Sequence, residues 1–137
     1  MTLRFNALTL IANIAVLSLS ATAFAGQAPA SPSGSGLFLN YCASCHGPQA
    51  KGDGPVAAAM QKKPADLTGI AKRNGGKFPT EIVSRTIDGK NPVMGHGGQG
   101  MPVWSDALKR APGGTGPDAV KVKIDALVQY IESIQQK

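Results

Sequence analysis

Apolar residues along this chain recur at helical rather than alternating spacing. Val120, Ile124, Leu127, Val128, Ile131 and Ile134 follow one another at three- and four-residue steps, which predicts one long amphipathic helix near the C-terminus. Ahead of it, Thr115-Gly116-Pro117-Asp118 offers a capping hydroxyl, an early proline and an acid for the first turn. Leu37, Phe38 and Tyr41 share one face and predict a short helix over about residues 37–43. Thr80 is placed to cap a helix carrying Ile82, Val83, Thr86 and Ile87, with Gly89 as its stop. Between residues 47 and 74 the chain reads as loop, punctuated by Gly52, Gly54, Pro55 and Pro64, with one turn at residues 56–60. Residues 95–100 (GHGGQG) are loop by composition. No β-type alternation of comparable length and no internal repeat is present, so the expected fold class is all-α, a few helices joined by long loops.

The N-terminus follows a different pattern. Arg4 precedes an apolar run at residues 8–19 (LTLIANIAVLSL), and Ala23-Phe24-Ala25 sets small residues before Gly26. That order is the order of a secretory signal peptide, cut between Ala25 and Gly26. A membrane anchor is the weaker reading, because the run is short for a bilayer span, and no later segment is apolar enough to cross. Removing residues 1–25 from the 137 leaves 112, enough for one domain. Residues 26–36 (GQAPASPSGSG) read as a flexible lead-in, and residues 37–137 as the folded domain. Seventeen glycines, ten prolines and few aromatic residues leave a thin protein core, so a staple or a large cofactor is expected to complete it. The formal charge of +6 comes without a recognition motif, which gives no ground for nucleic-acid binding.

The chemistry is concentrated in Cys42-Ala43-Ser44-Cys45-His46, which holds both cysteines of the chain. C-x-x-C-H is the attachment signature of haem c. Two thiols one helical turn apart can each add to a vinyl group of a single porphyrin, and the next residue is carried beneath the ring as an imidazole ligand. A disulfide closing so short a loop would stabilise little. A thioredoxin-like pair would want a preceding strand and a βαβ context. Zinc would need four ligands, and only His96 remains to join these three neighbours. One covalently bound haem c with its iron is the expected cofactor.

The iron then takes a sixth ligand or keeps an open face. Met60, Met94, His96 and Met101 are the candidates. Met101 is preferred: Pro102 biases its backbone to an extended form, and the glycines before it let the chain approach a flat ring. Met60, after three alanines, reads as core filler, and Met94 as loop packing. His96 is the alternative, which would give bis-histidine ligation.

The runs CASCHG, KGDGP, KPADLT, IDGKN and GQGMPVW resemble, in that order, the attachment site, the following loop and the distal methionine loop of bacterial class I (monohaem) c-type cytochromes. The likeness runs from about Gly34 to Tyr130. It implies the cytochrome c fold wrapped around one haem, with His46 and Met101 as axial ligands and thioethers at Cys42 and Cys45. It implies that helices near the two ends pack through Gly34 and Phe38 against Leu127 and Tyr130. It further suggests the Pro55 carbonyl as partner for the second nitrogen of His46, and the Trp104 indole as a haem-edge donor; an ordinary loop proline and a core tryptophan are the alternatives. The expected function is single-electron carriage between a redox donor and an acceptor in the periplasm, without enzymatic activity. A cytochrome subunit of a dehydrogenase or oxidase complex is a second reading, and a gas sensor or peroxidase with an open sixth site a third. Lys51, Lys62, Lys63, Lys72, Arg73, Lys77 and Lys90 could ring the exposed edge and dock an acidic partner, or form an ordinary solvated surface.

Overall fold

A computed structural model of the chain describes residues 32–90, 101 and 103–136. The expected signal peptide, most of the lead-in, Met94, His96 and Pro102 lie outside the described residues. Among the described residues six helices occur in the order α1 (Gly34–Tyr41), α2 (Ala43–His46), α3 (Ile70–Arg73), α4 (Thr80–Ile87), α5 (Trp104–Leu108) and α6 (Pro117–Ser133). Single 3-10 turns at Ala57–Ala59 and Leu67–Gly69 interrupt the long connection between α2 and α3. Among the described residues there is no strand, and no helix is long and apolar enough to cross a membrane.

The longest of the described helices, α6, has 17 residues and runs about 25 Å. Its apolar stripe faces inward: Val120, Ile124, Leu127, Val128 and Ile131 are all buried. It starts at Pro117 with Gly116 as its cap residue and no side-chain capping bond. Thr115 therefore does not cap it; proline at the first position needs no N–H partner and supplies the start alone. Thr80 likewise lies inside α4 rather than at its cap, which is Pro79. Gly89, at φ 78°, ends α4 as expected.

Helix α1 begins three residues earlier than its apolar face suggested. Ser33 accepts a hydrogen bond from the Gly36 N–H at 3.1 Å, so the end of the supposed lead-in is the first turn of the helix. The early start has a packing reason. A Cβ on Gly34 would collide with the Ala126 carbonyl oxygen and lie 2.9 Å from the Tyr130 Cβ; only a glycine lets the two backbones come this close. One turn on, the Phe38 and Tyr130 rings meet at 5.3 Å, and Leu37, Phe38 and Leu127 are closed to solvent. Each such side chain contributes about 1.5–3 kcal/mol by burial.

One position of the α6 stripe is not apolar. Lys123 is 1% exposed, and its Nζ donates to the carbonyls of Leu108, Ala111 and Gly114 at 2.8, 2.8 and 2.6 Å. Those carbonyls belong to the end of α5 and the glycine-rich linker; that of Leu108 also accepts the Ala111 N–H at 3.2 Å. A buried ammonium satisfied by three carbonyls fastens the linker that leads from α5 to α6.

Lys123→Met should therefore lower stability by about 2–4 kcal/mol, since three carbonyls lose a charge-assisted donor. Denaturant unfolding of the haem-loaded protein measures it, with Lys121→Met on the exposed side of the same helix expected to change little. Equal effects of the two substitutions would show that the buried ammonium has no special role.

Candidate functional site

Cys42 is at once the last cap of α1 and the first cap of α2. The chain bends there, with φ −115° and ψ −33°, and both Cys45 and His46 donate their N–H groups back to the Cys42 carbonyl, at 3.2 and 2.9 Å. The packing of α1 on α6 thus sets the position of the first thiol directly, and α2 carries the second thiol and the imidazole.

A four-residue helix cannot hold its own ends. The loop that follows supplies what is missing. The N–H groups of Gly52, Gly54 and Val56 donate to the carbonyls of His46, Cys45 and Ser44 at 2.8, 3.1 and 3.1 Å. Donors at every second residue thus serve successive carbonyls of α2. A Cβ on Gly54 would press into the carbonyl oxygens of Ser44 and Ala43, so this approach also requires glycine. Ala50, fully buried at φ 61°, is the only non-glycine residue with positive φ among the described ones. Its carbonyl accepts the Leu67 N–H at 2.7 Å, joining the first half of the long loop to the second.

His46 is buried, 7% exposed, and its Nδ1 lies 3.0 Å from the Ala65 carbonyl oxygen. A carbonyl only accepts, so Nδ1 bears the proton and Nε2 the lone pair, the tautomer that an iron ligand requires. The carbonyl at Nδ1 is thus that of Ala65, not Pro55. The reason is where the two prolines stand. Pro55 is exposed on a segment whose N–H groups are spent on the end of α2, whereas Pro64 is buried and leads straight into Ala65. Asp66 caps the next turn, accepting from the Thr68 N–H and hydroxyl at 2.9 and 2.6 Å. Asp66-Leu67-Thr68 ahead of an apolar stretch is a legible cap signal, and it would have marked this part of the supposed loop as ordered.

Cys42 and Cys45 are both half-buried and free of a disulfide. Burial, with the neighbouring Cys45 thiol adding to it, pushes the Cys42 thiol up to about 12. A dithiol built for redox exchange has a depressed value, so that reading is not favoured. Among the described residues no three His, Cys, Asp or Glu side chains gather as a metal site, and the zinc reading gains no support. Trp104, at the start of α5, is half-buried and meets Tyr41 of α1 edge-on, ring centroids 6.0 Å apart. Met101 is half-buried on a bend shortly before α5, and Met60, also half-buried, ends the Ala57–Ala59 turn. A cavity of about 750 Å³ between α4, α5 and α6 is lined by residues such as Arg85, Val120 and Ile124; neither cysteine, His46 nor Met101 lines it.

The family model of cytochrome c matches residues 32–135. The chain belongs to the cytochrome c family. Comparison with curated proteins and with solved structures finds no significant match. The helical architecture, without a strand among the described residues, agrees with the family, whose members bind covalently attached haem c and generally carry electrons between redox partners. The donor set fits that group: two thiols three positions apart beside a buried imidazole whose Nδ1 proton is already committed to a carbonyl. Cys42, Cys45 and His46 are described residues that could hold it in this cytochrome.

The Asp66 cap gives a pH prediction. The Thr68 hydroxyl is the main cause holding this carboxyl below its usual range, with the Thr68 N–H and the charges of Arg73 and Lys51 helping. A folded value below the unfolded one adds stability that is complete above the unfolded value and lost as pH falls through the folded value. Asp66→Asn should lower the thermal midpoint at neutral pH and narrow its gap to wild type below about pH 4. Melting curves across that range test this, and parallel curves would rule the cap out as a contributor.

Proposed function

We propose that this chain is a monohaem electron carrier of the periplasm, with thioethers at Cys42 and Cys45 and axial ligands His46 and Met101. The observation that carries the reading is the pairing of His46 Nδ1 with the Ala65 carbonyl at 3.0 Å on the short helix that also bears Cys45. Residues 1–25 are read as a leader removed on export, which suits thioether formation outside the cytoplasm. Bound at this site, haem would supply a one-electron ferric/ferrous couple that needs little rearrangement when both axial positions are filled.

The residues divide the work. Cys42 and Cys45 would hold the group through thioethers, each S–H adding across a vinyl group with the sulfur on one carbon and the proton on the other. His46 would bind the iron through Nε2. Met101 would offer it a soft thioether sulfur, which would raise the potential and keep small ligands away. Phe38, Leu37 and Leu127 close the α1–α6 seam to water.

Two experiments test the assignment. The ferric protein should show the long-wavelength sulfur-to-iron charge-transfer band at neutral pH, and Met101→Ala should lose it and bind CO rapidly once reduced. A wild-type protein without the band, or a Met101→Ala protein that keeps it, would remove Met101 and move attention to His96. The second concerns partners. Lys51, Lys62, Lys63, Lys72 and Lys77 are all exposed, and the reading is that they steer an acidic redox partner. Electron transfer with such a partner should then slow at least about tenfold between low and physiological salt. A rate indifferent to salt would leave these lysines as ordinary surface.

A further inference from the structure

The C-terminal tail reaches back to the segment that supports His46. After α6 ends, Gln135 Nε2 donates to the Leu67 carbonyl at 2.7 Å, and Gln135 Oε1 accepts the Ala71 N–H at 2.8 Å. Gln136 follows with two bonds to one residue: its N–H donates to the Thr68 carbonyl and its Nε2 to the Thr68 hydroxyl oxygen, both at 2.8 Å. The Thr68 hydroxyl itself donates to Asp66 Oδ1 at 2.6 Å. The Asp66 carbonyl, in turn, accepts from Arg73 at 2.5 Å. Residues 66, 67 and 68 are thus each held by a bond from elsewhere in the chain, and Ala65 stands immediately before them.

Ala65 itself is exposed and has no side chain with which to anchor its peptide. Yet its carbonyl must stay at hydrogen-bond distance from His46 Nδ1. We propose that Thr68, Gln135 and Gln136 are positioning residues for the iron: they form a latch that fixes the Ala65 carbonyl against His46 and thereby biases the ferric/ferrous equilibrium. The inference rests on His46 being the ligand, as proposed above. The direction follows from the hydrogen bond. A firm Nδ1–H···O=C contact increases the electron density that the imidazole offers through Nε2, which favours ferric iron. Loosening the latch lets the carbonyl drift, weakens that push and favours the ferrous state.

The test uses the haem-loaded protein in a redox buffer at fixed ambient potential. Thr68→Val removes the hydroxyl that joins Gln136 to Asp66 at nearly constant volume, and Thr68→Ser restores it. Gln136→Ala cuts the latch from its exposed end, where truncation threatens the fold least. Thr68→Val and Gln136→Ala should each raise the reduced-to-oxidised ratio about threefold to tenfold, tenfold being about 59 mV for one electron, and Thr68→Ser should stay within about twofold of wild type. The hyperfine-shifted ring resonances of His46 in the ferric protein should move in the first two variants and not in the third. Ratios and resonances unchanged in all three, with only the melting temperature lowered, would overturn the latch and leave a structural tie. A wild-type ferric spectrum in which the His46 ring resonances lack such shifts would instead overturn the ligand reading, and the latch with it.

Discussion

The close approach of α1 to α6 at Gly34 is the constraint on which the remaining structure depends. Two helices far apart in sequence can seat a phenylalanine against a tyrosine only if their backbones come within reach, and the missing side chain at Gly34 permits that. The consequence extends past the crossing. Helix α1 runs without a spacer into Cys42, so the depth at which it packs decides where the attachment motif starts. A side chain at position 34 would displace the first thiol as well as loosen the seam.

Beyond that crossing, order passes along hydrogen bonds more than along apolar contacts. The second helix has four residues and no stability of its own. Its carbonyls are met by Gly52, Gly54 and Val56, its histidine by Ala65, and the two parts of the loop are joined through Ala50 and Leu67. The buried apolar residues belong mainly to α1, α4, α6 and the end of α5. The chain around the cysteines contributes little, which is the distribution expected of a domain whose second half-core is a porphyrin.

The sequence made some of this legible and hid the rest for physical reasons. The α6 stripe, the Phe38–Tyr130 contact and the stop at Gly89 followed from periodicity, resemblance and backbone chemistry. Lys123 escaped because a charge in an apolar stripe reads as an interruption. Only the fold shows three carbonyls gathered at its ammonium. The partner of His46 escaped for a related reason. A backbone carbonyl has no residue-type signature, so Pro55 and Ala65 look alike until the chain is folded. The short helices α3 and α5, four and five residues long, are below the length at which periodicity can be read. Periodicity misplaced the boundary of α1 because Gly34, Ser35 and Gly36 have the composition of a linker, whereas the resemblance implied the packing at Gly34 that the close backbone approach bears out.

Helix α6 meets the candidate site by two separate routes. Through Leu127 and Tyr130 it holds α1, and so the approach to Cys42. Through the residues just after it, Gln135 and Gln136, it holds the turn that follows Ala65, whose carbonyl meets His46 Nδ1. The thiols and the imidazole, already tied together through α2, are therefore also registered against one rigid element, although no residue of α6 is itself a ligand candidate. A site assembled from a four-residue helix and a long loop needs such an outside reference, because neither part can set the distance between them alone. Helix α6, the longest of the described helices, spans both.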